Sequence, residues 1–124
     1  SLFLVEDEED VQDILTDTLS AAGYRVAIVP SGGEAIALLR EESADLIVTD
    51  LSLKGFSGLD VAKAAREIRA DIRVVLISRW TNEGSKSATL ENGIDCYLEK
   101  AFPLMDLKKA IQNLLHPEKP SVTL

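Results

Sequence analysis

Short runs of consecutive apolar residues recur along the chain. They lie at Leu2–Val5, Val26–Val29, Leu46–Val48 and Val74–Ile77, with a weaker run at Cys96–Leu98. A continuous run, as opposed to an alternating one, is typical of a strand that is covered on both faces of a parallel sheet. Segments with helical patterns separate the runs. The pattern therefore predicts five parallel strands between two layers of helices.

Helical periodicity fills the segments between these strands. The first predicted helix repeats apolar or small side chains about every 3.6 residues, at Val11, Ile14, Leu15, Thr18, Leu19 and Ala22. Gly23 follows and predicts the end of that helix, because glycine easily adopts the left-handed conformation of a helix terminus. Ser31 with Glu34, and Ser57 with Asp60, have the spacing of capping boxes, which predicts the start of a second and a third helix.

Two further helices are predicted in the last third of the chain. Residues 84–92 contain several serines and threonines and few large apolar side chains, so we expect a loosely packed helix there. The last helix begins near Pro103 and ends before Pro117, and its predicted apolar face consists of Leu104, Leu107, Ile111, Leu114 and Leu115. Together these elements predict one doubly wound α/β domain over residues 1–116, with five helices on both faces of the sheet. Residues 117–124 are expected to form a linker or a loose tail.

Charge and composition narrow the classes of function. The chain has 124 residues, which suits one domain, and its 21 acidic and 13 basic residues give a formal net charge of −8. Such an acidic surface argues against direct binding to nucleic acid or to an anionic membrane. No apolar run approaches the roughly 18 residues of a membrane span, and no signal-type segment occurs, so we expect a cytoplasmic protein. Cys96 is the single cysteine, which excludes an internal disulfide.

Chemically active side chains follow the predicted strands at their carboxyl ends. Glu6 and Asp7 come after the first strand, Asp50 after the third, Ser78 after the fourth and Lys100 after the fifth. In open α/β sheets, ligands bind at this edge, beside the point where the strand order reverses. If the strand order is 2-1-3-4-5, the first and third strands are neighbours, and their three carboxylates meet beside that point.

Three carboxylates in one place require a compensating cation. Two of them about 4 Å apart repel each other by about 4 kcal/mol at an effective dielectric constant of about 20. Oxygen ligands without histidine or cysteine favour Mg²⁺, with Mn²⁺ as a substitute. Lys100 adds a fixed positive charge. Because these cations would neutralise phosphoryl oxygens, the Asp50 carboxylate is equipped to attack phosphorus and to form an acyl phosphate.

Each of these residues also has a structural interpretation when it is taken alone. The acidic run from Glu6 to Asp10 is compatible with a solvated helix N-terminus, which the helix dipole favours. Asp50 would then be a turn or cap residue, Ser78 a hydrogen-bonded strand end and Lys100 a surface lysine. Their joint placement at one edge of the sheet is what favours a functional site.

The stretches FLVEDEE, LIVTDLSLKGFSGLD, VVLIS and NGIDCYLEKAF occur in this order along the chain. In sequence and separation, they resemble the receiver domains of two-component response regulators along residues 2–116. The resemblance implies that Asp50 is the phosphoacceptor. It further implies that Mg²⁺ is bound by Glu6, Asp7, Asp50 and the backbone carbonyl of Ser52.

The same resemblance implies how the domain signals. Lys100 would contact a phosphoryl oxygen, Ser78 would move its hydroxyl toward the phosphoryl group, and Tyr97 would change rotamer with it. The domain would be a signalling phosphoacceptor rather than an enzyme with a separate substrate. Its donor would be a sensor histidine kinase, a histidine phosphotransfer protein or a small acyl phosphate, because the chain's one histidine, His116, lies at a helix end. A fused output domain and a homodimer through the face at residues 84–116 are left open.

Three other functions remain open at this point. A phosphohydrolase of the haloacid-dehalogenase kind also uses an aspartate nucleophile, but it usually has a second acid two positions later, where this chain has Ser52. A flavodoxin-like electron carrier needs a loop that cradles a flavin phosphate, which the acids at Glu6–Asp10 would repel. A degenerate receiver that only binds proteins would lack some of the expected side chains, and all are present here. Lys54, Arg79 and Ala101 depart from the usual family pattern and leave the rate and lifetime of phosphorylation open.

Overall fold

The computed structural model describes residues 1–53, 56–78, 94–99 and 104–115. Its elements are, in chain order, β1 (Leu2–Val5), α1 (Glu9–Ala21), β2 (Val26–Val29), α2 (Gly32–Glu41), β3 (Leu46–Asp50), β4 (Ser52–Leu53), β5 (Phe56–Ser57), α3 (Gly58–Ile68), β6 (Arg73–Ser78), β7 (Cys96–Glu99) and α4 (Leu104–Leu115). All the apolar runs form strands, as predicted. The helix predicted at 84–92, the prolines at either end of the last helix and the tail at 117–124 lie outside the described residues.

The longer strands form one parallel sheet. Their order is β2-β1-β3-β6-β7, and each neighbouring pair is parallel. Because β6 and β7 are the fourth and fifth strands of this sheet along the chain, the predicted order 2-1-3-4-5 is confirmed. Val5 pairs with Thr49, and Asp50 pairs with Ile77, so β1 and β3 end side by side in the middle of the sheet. The strand order reverses here, which places a ligand site at their carboxyl ends.

Both faces of the sheet are covered by helices. Successive residues of β1 point to opposite faces. Phe3 and Val5 belong to an apolar core that includes side chains of α2 and α3, whereas Leu2 and Leu4 belong to a core that includes side chains of α1 and α4. Every residue of β1 and β3 is buried, as their continuous apolar runs predicted. The described residues therefore confirm a doubly wound α/β fold.

The predicted helix boundaries have recognisable caps. Gly23 has a φ of 98° just after α1, a conformation that residues with a side chain rarely adopt. At the start of α2, Ser31 Oγ accepts a hydrogen bond from the Glu34 N–H (3.2 Å) and donates one to the Glu34 carboxylate (2.9 Å). Ser57 caps α3 by accepting from the Leu59 N–H at 3.1 Å, one residue earlier than the capping-box spacing implied. None of the described helices is long and apolar enough to cross a bilayer.

Some apolar residues are more exposed than their patterns indicated. Ile14 and Leu104, which belong to the apolar patterns of the first and last helices, are 53% and 38% exposed. Ile28, in a run expected to be covered on both faces, is 42% exposed. Ile14 lies at the border of the apolar stripe of α1, where spacing alone does not distinguish a core position from a surface position. Leu104 lies on the apolar face of α4 but is the first residue of that helix, and helical side chains point back toward the N-terminus. The short antiparallel pair of β4 and β5 was also not predicted, because two-residue strands leave too little pattern to detect.

Candidate functional site

Three carboxylates meet at the carboxyl ends of β1 and β3. Glu6 follows β1, Asp50 is the last residue of β3, and one oxygen of each, together with one of Asp7, lies within 4.8 Å of the others. Glu6 is 1% exposed and Asp50 6% exposed, whereas Asp7 is only half-buried. The predicted meeting of the three acids is therefore confirmed, and Asp7 lies on its solvent side.

Three hydrogen bonds hold Glu6 in place, two through its backbone and one through its side chain. Its N–H donates to the carbonyl of Val29 at 3.1 Å, which continues the ladder between β1 and β2 by one residue. Its side-chain Oε2 accepts from the N–H of Glu8 at 3.1 Å. Gln12, one turn into α1, donates from Nε2 to the Glu6 carbonyl at 2.6 Å. The sequence analysis did not single out Gln12. Its one sign in the sequence was a glutamine among the acidic residues at the start of this helix.

The backbone of Asp50 is fixed just as closely. Thr49 Oγ1 donates to the Asp50 carbonyl at 3.0 Å, and the N–H of Leu51 donates to the carbonyl of Ile77 at 2.8 Å. Gly58, the first residue of α3, donates its N–H to the Leu51 carbonyl at 2.8 Å. A Cβ at Gly58 would overlap the Asp50 carbonyl oxygen and would lie 2.9 Å from the Leu51 Cα. Only glycine therefore lets α3 pack this closely behind Asp50.

The other predicted site residues occupy the strands that continue the same edge. Ser78 is the last residue of β6 and is paired with Glu99 of β7. Tyr97 lies in β7, is half-buried, and packs against the core on the α2 and α3 side of the sheet. Ser52 begins the short β4 strand directly beyond Asp50. Lys100, together with the atypical positions 54, 79 and 101, lies outside the described residues.

The donor set of this site is made of oxygen atoms. Carboxylates gathered within 4.8 Å repel one another, and the repulsion is larger for Glu6 and Asp50 because burial removes water from them. A hard divalent cation, which prefers several carboxylate oxygens and retains some of its water, matches both the charge and the half-open position of Asp7. The residues present therefore fit a cation of this kind.

Comparisons with known proteins identify the family of this chain. The sequence profile of the family described as "Response regulator receiver domain" matches residues 2–112. The sensory transduction protein RegX3 of Mycolicibacterium smegmatis is 34% identical over 115 residues, which are 93% of this chain and 50% of that protein. The chain thus spans about half the length of this curated relative.

Solved structures share the fold. One is the receiver domain of a sensor histidine kinase from Pseudomonas aeruginosa, with a magnesium ion coordinated in the active site cleft. It superposes with a TM-score of 0.84 at 24% identity, and the match covers 92% of this chain and 95% of that one. Another is a response regulator protein from Burkholderia pseudomallei with a phosphorylated aspartic acid, a calcium ion and citrate; its TM-score is 0.81 at 23% identity, covering 98% and 76%. At these identities, the likeness concerns the fold alone. The profile match over most of the chain and the similarity to RegX3 show that the chain belongs to the response regulator receiver domain family.

Proposed function

We propose that Asp50 accepts a phosphoryl group from a phosphohistidine of a partner protein. The observation that carries this proposal is the position of Asp50, which ends the central strand β3 beside two further carboxylates on a backbone held by Gly58 and Thr49. A carboxylate oxygen of Asp50 forms a bond to phosphorus while the bond between phosphorus and the donor nitrogen breaks. The electron pair of that bond stays on the imidazole, and the product is an acyl phosphate.

The proposed cation is Mg²⁺, with Mn²⁺ as a substitute. Its ligands would be Glu6, Asp7, Asp50 and the backbone carbonyl of Ser52, a set that contains oxygen donors alone. When bound, the cation supplies positive charge that neutralises phosphoryl oxygens. The magnesium ion in the P. aeruginosa receiver, which has the same fold, supports this assignment.

The proposed readout of phosphorylation is a change at β6 and β7. Ser78 and Lys100 would contact the phosphoryl group, and Tyr97 would change rotamer in response. The support is that Ser78 ends β6 and that Tyr97 lies in β7, the strand paired with it. The domain would therefore be a signalling phosphoacceptor that catalyses only its own phosphorylation and dephosphorylation.

Incubation with acetyl phosphate and Mg²⁺ tests the acceptor directly. Intact mass spectrometry should show the addition of one phosphoryl group to the wild-type chain and none to Asp50→Asn. Asp45→Asn is the matched control, because Asp45 lies just before the opposite end of the same strand and is exposed. Equal labelling of Asp50→Asn and Asp45→Asn would refute the assignment.

The proposed docking surface for the donor lies on α1 and the first turn of α4. These helices contact each other and share one core, and they leave three large apolar side chains exposed, namely Ile14, Leu104 and Met105. The exposed charged side chains of α1 are all acidic, at Glu9, Asp10, Asp13 and Asp17. Exposed apolar side chains beside acidic ones are typical of a protein interface. We therefore propose that the kinase or phosphotransfer protein presents a helix with apolar and basic side chains here.

The variant Ile14→Ser tests the docking surface. Phosphotransfer from a protein donor should slow, whereas labelling by acetyl phosphate, which needs no docking, should be unchanged. Ile28→Ser is the matched control, since Ile28 is also apolar and is 42% exposed, but lies on the edge strand β2. Equal slowing in both variants, or slower labelling by acetyl phosphate, would contradict the proposal.

The relatives suggest what lies beyond this domain. Because the chain spans about half of RegX3, we propose that it works with an output domain in the full protein. A homodimer through the face at residues 84–116 remains a further proposal. The phosphorylation-independent binding module is not favoured, because Glu6, Asp7 and Asp50 come together as an active phosphoacceptor requires.

A further inference from the structure

Asp95 joins three elements at the amino edge of the sheet, which is the edge where the strands begin. Its Oδ2 accepts hydrogen bonds from Arg66 Nη2 at 2.6 Å and from the N–H of Val74 at 2.8 Å. Its own N–H donates to the carbonyl of Val74 at 2.9 Å. Arg73 Nη1 lies 3.6 Å from the other carboxylate oxygen. Asp95 is therefore tied to the last turn of α3 and to the beginning of β6 just before β7 starts.

These bonds bear on the register of β7. This strand has four residues and, among the described residues, pairs with β6 alone, so its ladder is short. The observed register pairs Leu76 with Tyr97. A slip by one residue would exchange the two faces of the strand, moving Cys96 out of the α1 and α4 core and Tyr97 out of the α2 and α3 core. A slip of one residue would bring Ile94 or Cys96 to this position opposite Val74, and neither has a carboxylate, so the contact is lost in both slipped registers.

We propose that Asp95 is a positioning residue for Tyr97. Its carboxylate, held by Arg66 and Val74, fixes the amino end of β7, so that a change at the carboxyl edge turns the Tyr97 side chain instead of sliding the strand. Arg66 contributes by bringing α3, whose first residue is Gly58 behind Asp50, into the same connected unit. This inference rests on the proposed function in one respect, which is that Tyr97 reports the state of Asp50.

Cys96 provides a native probe of the register, because it is the single cysteine and lies next to Asp95. Burial, and secondarily the negative charge of Asp95, raise the pKa of the Cys96 thiol. An aromatic disulfide reagent should therefore modify it slowly at neutral pH. In Asp95→Ala, the amino end of β7 opens, and modification should become about tenfold faster through local opening.

A second variant separates opening from electrostatics. Asp95→Ala also removes a charge that raises the pKa of Cys96, which by itself favours the reactive thiolate. Arg66→Gln has the opposite electrostatic effect, because the loss of a cation disfavours the thiolate. Faster modification in Arg66→Gln can therefore arise only from opening, and this variant also decides the question if Asp95→Ala does not fold. Asp71→Asn is the control, since it removes an arginine contact of the same edge that does not include Asp95.

The second measurement follows Tyr97 itself. The chain has two tyrosines, so incorporation of fluorotyrosine gives two ¹⁹F signals, with Tyr24 as the internal reference. In the wild type, Mg²⁺ with beryllofluoride should shift the Tyr97 signal. In Asp95→Ala and Arg66→Gln, that shift should shrink, while acetyl phosphate still labels Asp50 as in the wild type.

The outcomes separate the two proposals. The positioning role would be overturned if both variants kept the wild-type rate of Cys96 modification and the wild-type Tyr97 shift. This holds even if the variants unfold more easily, since a merely structural contact predicts that result. Failure of the wild-type chain to be labelled at Asp50 would instead overturn the proposed function. The Cys96 rates do not require phosphorylation, so they test Asp95 in either case.

Discussion

The two edges of the parallel sheet use charge in opposite ways. At the carboxyl edge, Glu6, Asp7 and Asp50 bring carboxylate oxygens within 4.8 Å of one another. At the amino edge, arginines and aspartates alternate in ion pairs, which join Arg66 and Arg73 to Asp95, and Arg69 to Asp45 and Asp71. Carboxylates held close together repel one another, and a bound cation would lower this repulsion, whereas an aspartate and an arginine held close together attract each other.

This difference indicates a division of labour within one fold. Ion pairs at the amino edge hold the beginnings of the strands in place. At the carboxyl edge, the electrostatic free energy of the clustered carboxylates would depend strongly on a bound ligand. A ligand changes an equilibrium only through a difference in its contacts between two states. Ligand contacts at the carboxyl edge can differ between two states of the domain. The ion pairs of the amino edge would keep the beginnings of the strands in the same place in both states.

The largest expected effect comes from crowding the backbone of Asp50. Gly58→Ala places a methyl group against the Asp50 carbonyl, and overpacking of this kind costs about 1–3 kcal/mol. The displaced carboxylate should also lower the rate of labelling by up to about a hundredfold. Urea unfolding and acetyl phosphate labelling measure the two effects.

Gly33→Ala is the matched control for this prediction. A Cβ at Gly33, in the first turn of α2, would meet nothing within 4 Å. It should therefore raise the free energy of unfolding by up to about 0.5–1 kcal/mol, the usual cost of glycine in a helix. Equal destabilisation by both substitutions would show that the contact with Asp50 has no special effect.

The second prediction concerns the cation. Mg²⁺ at about one hundred times its Kd should raise the free energy of unfolding by about 2.7 kcal/mol, because it binds the folded chain alone. Asp7→Asn should remove most of this increase. Asp45→Asn should retain all of it, since Asp45 belongs to the amino edge. If the increase in unfolding free energy with Mg²⁺ survives in Asp7→Asn and disappears in Asp45→Asn, the cation binds at the amino edge and the proposed site is wrong.

The smallest expected effect is at the rim of the amino edge. The hydrogen bond from Arg69 holds the pKa of the Asp71 carboxyl below its ordinary value. A carboxyl group whose pKa is lower in the folded state stabilises the fold above its unfolded pKa, and this contribution is lost as the pH falls through the folded value. The stability difference between the wild type and Asp71→Asn should therefore be small at neutral pH and disappear as the pH falls through the lowered pKa of Asp71. A difference that grows on acidification would contradict this sign.

Much of this arrangement could be predicted from local sequence, and the exceptions have physical causes. Glu6 and Asp50 could be placed together because each follows an apolar run, and parallel strands end at one edge. Gly58 was missed because its requirement for glycine arises from contact with residue 50, which no local pattern contains. Its one local sign was a glycine directly after a helix-capping serine, where another residue would favour the helix more.

The errors in periodicity are informative in another way. Ile14 follows the helical spacing of a core residue, but it is exposed beside acidic side chains. Apolar spacing reports what a residue prefers to contact, and a partner protein satisfies that preference as well as the core does. The position at which the core prediction was wrong is therefore the position where we propose that the phosphoryl donor docks.

Chemical mapping of the phosphorylated carboxyl group tests the central claim most directly. After labelling with acetyl phosphate and Mg²⁺, borohydride reduces an acyl phosphate to an alcohol, and peptide mass spectrometry identifies the residue that has changed. We predict homoserine at position 50 and unmodified side chains at Glu6 and Asp7. Reduction at Glu6 or Asp7, or a labelled chain in which Asp50 is unchanged, would contradict the assignment of Asp50 as the phosphoacceptor.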